Sequence, residues 1–70
     1  MANTITVGAR IEHLREASGL TRSALAAKTN MTEQAIRNIE LGARTGKLGT
    51  LRVIAAALGV AIEDVVRGTT

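Results

Sequence analysis

Apolar residues recur at helical spacing along almost the whole chain. Val7, Ile11 and Leu14 stand at i, i+4 and i+7, with Ala17 following, and predict a first helix over about 6–17. Gly19 is placed to stop it. Thr21 suits an N-cap for a short helix from Arg22 to about Lys28, with Leu25 and Ala26 inward. Asn30 follows, the non-glycine type that best tolerates a left-handed turn. Thr32 is the next N-cap, opening a helix that reaches Leu41 and ends at Gly42. Leu51, Ile54, Ala55 and Leu58 define a fourth helix stopped by Gly59, and "AIEDVV" (61–66) a short fifth. Between them "GARTGKLG" (42–49) reads as an exposed loop. "TITV" alternates like a strand, but a lone strand has nothing to pair with. The expectation is an all-α fold, a compact bundle of five short helices in one domain over 1–70, with 1–5 and 67–70 as frayed ends.

The second and third helices are separated by only three or four residues, with small Ala26 in the first and Asn30 in the joint. So tight a joint forces a steep crossing, the helix-turn-helix arrangement, here over about 21–41. On a wheel of roughly 100° per residue, Ile36, Ile39, Thr32 and Glu40 share the inner half of the third helix. Gln34, Arg37, Asn38 and Leu41 fall outside, with Glu33 at the border. A helix docked by its apolar stripe with amides outward can lie in a major groove. Gln and Asn there can each pair bidentately with adenine, at about 1–3 kcal/mol per good pair. An ordinary solvated helix face is the plain alternative.

Composition narrows the choice. Seventy residues bury a thin core. There is no cysteine for a disulfide, and one histidine cannot build a zinc site, so no metal or other cofactor is expected. With no aromatic residue and no proline, the core must be Ile, Leu, Val and Ala, and base stacking on single strands has no support. No apolar run approaches the roughly 20 residues of a membrane span, and "MANTITVGAR" lacks the layout of a signal peptide. A cytoplasmic protein is the expectation. Net charge is +3 and uneven: residues 1–52 carry eight Lys/Arg against four Glu, whereas 53–70 carry one Arg against Glu63 and Asp64. A basic front favours an anionic partner.

At "RIEHLREASGLT" (10–21), "LA" (25–26) and "IRNIELGARTGKLGTLRVIAAALGV" (36–60) the chain resembles the Cro/C1-type helix-turn-helix regulators of phages and bacteria, the XRE family, over nearly its whole length and without insertion. The resemblance implies a lambda-repressor-like DNA-binding domain and a transcription regulator, most simply a repressor on a two-fold operator. It places the base readers on Glu33, Gln34, Ala35 and Asn38, with Arg37 close by. Backbone contacts fall on Arg22 and Thr32 and on the loop residues Arg44, Thr45 and Lys47. Arg22 is expected near Glu33, as its partner, and Arg15 with Glu40 as an internal ion pair. Gly46 departs from the family's usual proline, Gly49 adds a flexible residue, and Ala35 offers only a methyl. Leu41 is apolar where a polar residue is usual, and reads as a tolerated surface leucine in preference to a contact with a thymine methyl or sugar.

Other residues carry no chemistry of their own. His13 lies off the inner face of its helix, Ser18 and Ser23 lack a His/Asp constellation, and the glycines of 42–49 lack P-loop order. An enzyme is not expected. Two readings compete with the DNA regulator: an antitoxin or regulator whose main partner is a protein, and a helical scaffold with no nucleic-acid role. A DNA regulator of this size should pair as a weak homodimer, favoured on DNA, through Leu48, Val60, Ile62 and Val66.

Overall fold

The computed structural model describes residues 6–42 and 47–66, and every element among them is helical. The helices are α1 (Val7–Ala17), α2 (Arg22–Thr29), α3 (Glu33–Glu40), α4 (Leu48–Leu58) and α5 (Ile62–Val66). Threonine starts three of them. Thr6, Thr21 and Thr32 sit in extended backbone, and each Oγ1 accepts from the amide three residues on, at 3.0–3.1 Å. Each hydroxyl thereby satisfies one of the four amides a helix start leaves unpaired. Thr32 is consequently exposed at the end of α3 and does not share its inner half, contrary to the wheel.

Three helix ends share one closure. The amides of Leu20, Met31 and Val60 reach back five residues to the carbonyls of Arg15, Ala26 and Ala55, at 3.1, 2.9 and 3.0 Å. The residue before each is left-handed: Gly19, Asn30 at φ 58°, and Gly59. This is the Schellman closure, and its apolar follow-on residue normally packs back on the helix. Leu20, Met31 and Val60 are accordingly half-buried against the core.

The core is aliphatic. Ile11, Leu25, Ile36, Ile54 and Val65 are fully buried, one from each helix. α3 packs on both α1 and α2, α4 on α2 and α5, and α1 also touches α5. Arg10 adds a polar tie there, its Nε donating to the Asp64 carbonyl at 2.8 Å. Gly8 is the tightest joint. A Cβ at that position would strike the Ile39 carbonyl oxygen and stand 2.6 Å from that of Glu40, so α1 meets α3 backbone to backbone.

The structure corrects several boundaries. α4 begins at Leu48, so Leu48 and Gly49 belong to its first turn and not to the loop. Lys47 precedes it with no side-chain cap bond. Ala17, which follows the apolar series of α1 and ends the helix, is exposed. α2 extends to Thr29, which is buried and turns its hydroxyl onto the Leu25 carbonyl at 2.9 Å.

Candidate nucleic-acid interface

α3 presents two unlike sides. Ile36, Ile39 and Glu40 are buried, whereas Glu33, Gln34, Arg37 and Leu41 are exposed. Ala35 and Asn38 lie half-buried between them. Three residues, Asn30 to Thr32, join α2 to α3, and the left-handed Asn30 turns the chain there. The joint therefore holds α3 across the bundle with its polar side outward. Gln34 Nε2 donates to Asn38 Oδ1 at 3.0 Å along that side.

Behind α3 lies a charge cluster built on Glu40. Its carboxylate is wholly buried and receives two guanidinium groups. Arg15 Nε donates to Oε2 at 2.7 Å and Nη2 to Oε1 at 3.3 Å, while Nη1 donates to the Leu20 carbonyl at 2.8 Å. Arg22 Nε donates to Oε1 at 2.8 Å, and its Nη2 reaches Glu12 Oε2 at 3.4 Å. The hydrogen bond to Glu40, opposed by burial, holds the Arg15 guanidinium above its ordinary pKa. Among the described residues no buried side-chain polar atom lacks a partner.

This overturns the expected Arg22–Glu33 pairing. Arg22 and Glu33 line the same surface concavity of about 370 Å³, together with Arg15, Thr21, Gln34 and Arg37. The Arg22 guanidinium nevertheless turns inward. A buried carboxylate is costly unless its oxygens are satisfied, so Oε1 of Glu40 draws Arg22, while exposed Glu33 stays solvated in the first turn of α3, where an acid suits the helix dipole. Glu12 is the member that sequence reasoning did not single out; its only signal is its place one turn before Arg15 and Glu16 on α1.

The remaining candidate residues are scattered more widely. Thr32 Oγ1 is occupied as an acceptor by the Ala35 amide but keeps its hydroxyl proton to donate. Lys47 is exposed at the start of α4. Arg44 and Thr45 lie outside the described residues. Of the apolar residues expected at an interface between copies, Leu48 (55% exposed) and Val66 (38%) face solvent. Val60 and Ile62 instead pack partly on the core of their own chain. Val53, 47% exposed on α4, was not anticipated.

A helix buried on one side with amides and a guanidinium outward, set after a three-residue turn, is the helix-turn-helix arrangement. The family model described as "Helix-turn-helix domain" matches residues 6–67, and the chain belongs to this family, among the Cro/C1-type (XRE) regulators. It is 36% identical over 62 residues to the immunity repressor protein of Bacillus phage phi105, a match covering 89% of this chain. The chain spans 43% of that repressor's length. Among solved structures it resembles the restriction-modification controller protein C.AhdI from Aeromonas hydrophila, with TM-score 0.83 and 26% identity over 93% of this chain and 98% of that one. It also resembles the N-terminal DNA-binding domain of SinR from Bacillus subtilis, with TM-score 0.77 and 27% identity over 84% and 87% of the two chains.

Proposed function

We propose that this chain is a sequence-specific, double-stranded DNA-binding transcription regulator, acting as a repressor on a two-fold operator with α3 in the major groove. The observation that carries this reading is the two-sided character of α3: Ile36, Ile39 and Glu40 hold it from behind, and Glu33, Gln34 and Arg37 are exposed in front. Gln34, Asn38 and Arg37 supply donors and acceptors to base edges, Glu33 can accept from cytosine N4, and the Ala35 methyl suits a thymine methyl. Arg22, Thr32 and Lys47 serve the phosphates on either side, with Arg44 and Thr45 assigned to the same strand path. No step of this function is enzymatic. The relatives support the reading: SinR is known in complex with DNA, and the phage relative is named an immunity repressor.

Two copies are assigned to one operator as a weak homodimer. No described helix is long and apolar enough to cross a membrane, and the work proposed here belongs in the cytoplasm of a bacterial cell, with the gene carried by phage or host. A protein partner forms a second reading, because SinR is also known in complex with SinI. The test is selection of bound fragments from random duplex DNA, followed by footprinting at stated salt. Recovery of a two-fold motif is expected; recovery of no motif would overturn the proposal.

A further inference from the structure

The two amides on the outer side of α3 are bonded to each other. Gln34 Nε2 donates to Asn38 Oδ1 at 3.0 Å, four residues along the helix. Gln34 is exposed and Asn38 half-buried. Holding an exposed glutamine in one rotamer costs side-chain entropy, and one neutral hydrogen bond offsets it only modestly. The bond does, however, tie the orientation of the Gln34 amide to that of Asn38. Reversing that amide alone would set two oxygens against each other. One of its two N–H donors is used by Asn38. One N–H and Oε1 remain, the donor and acceptor that a bidentate contact to adenine N7 and N6 requires.

The geometry points to Asn38 as a positioning residue for Gln34, so that the two amides read one base pair as a unit and not two base pairs independently. This rests on the DNA-reading role proposed above. Its consequence is specific. Loss of Asn38 should release the Gln34 amide to rotate freely, and the preference lost should be the one that Gln34 carries. Asn38→Asp keeps the acceptor and so keeps the pairing, although the new charge would face the phosphates.

The experiment selects bound sequences from random duplex DNA with wild type, Gln34→Ala, Asn38→Ala, Asn38→Asp and the double alanine variant, each first checked for an unchanged thermal melt. Gln34→Ala should lose about 5- to 150-fold of preference at one base pair, the scale of a single bidentate contact. Asn38→Ala should lose preference at that same base pair, the double variant should be no worse there than Gln34→Ala, and Asn38→Asp should retain the preference while binding every duplex more weakly. Side-chain amide NMR of the free protein gives a readout without DNA: the Gln34 amide protons should exchange faster in Asn38→Ala than in wild type or Asn38→Asp. A motif whose Gln34 position is untouched by Asn38→Ala, or Gln34 amide signals unchanged by it, would overturn the coupling alone. No selected motif for wild type would overturn the DNA reading and this inference with it.

Discussion

Glu40 is the residue on which α1, α2 and α3 meet. Its carboxylate is closed from water, and Arg15, 9% exposed by side chain, is nearly so. Arg22 is 29% exposed and bridges from Glu40 to Glu12. These exposures rank the three partners. Removing either buried member leaves the other desolvated and under-satisfied, so Arg15→Met and Glu40→Leu should each lose about 3–5 kcal/mol, and the double variant should lose less than either. Arg22→Ala should cost only about 1–2 kcal/mol, since its charge is partly hydrated and Glu40 keeps Arg15. Thermal melts of the four variants check this order. Single variants as stable as wild type would show that the cluster contributes nothing to the fold. The inner position of Glu40 was legible from its place one turn beyond Ile36. Arg22 was not, because a guanidinium on a long stem reaches either Glu33 or Glu40, and only the burial of Glu40 decides.

At the scale of elements, most helices were legible because their apolar residues recur at 3.6 and their starts carry a threonine. α4 shows the limit. Lys47 makes no side-chain cap bond, and Gly49 sits in the first turn, so nothing in the local sequence marks a start before Leu51. Gly8 shows another limit, since a glycine in a helix gives no sign that a second backbone lies against it. Helical propensity alone would favour Gly8→Ala by about 1 kcal/mol. The Cβ would instead meet the Ile39 and Glu40 carbonyls, which belong to backbone and cannot swing aside. We expect a net loss of about 1–3 kcal/mol, as for other overpacked sites, and an unchanged or raised melting temperature would refute the close approach. The proposed division of labour between base and phosphate contacts is equally testable. If each subunit neutralises about three to five phosphates, log K should fall against log salt with a slope of about −2.7 to −4.5 per subunit. Lys47→Ala should weaken binding to all duplexes alike and flatten that slope by about one, whereas Gln34→Ala should relax one base position. A slope near zero would remove the phosphate contacts from the account.

For the whole molecule, the proposed binding to DNA has a consequence for assembly. A single helix of eight residues would reach few base pairs, so the proposal takes two copies on a two-fold site, with half-site centres expected about 34 Å apart. Apart from Leu41 at the end of α3, the exposed large aliphatics among the described residues are Leu48, Val53 and Val66, whereas Val60 and Ile62 already serve their own chain, as the closure at Gly59 makes plain for Val60. No aromatic residue is present to anchor an interface, and aromatic and arginine anchors normally supply most of the binding energy. The interface should therefore be weak: the free protein mostly monomeric at micromolar concentration, and paired on DNA where both half-sites are present. Sedimentation across a concentration series checks the first part, and a tight dimer in free solution would contradict the small-patch argument. Footprinting an operator with one half scrambled checks the second. Affinity should drop steeply and the intact half should lose protection; equal affinity for a single half-site would mean that one copy of α3 suffices.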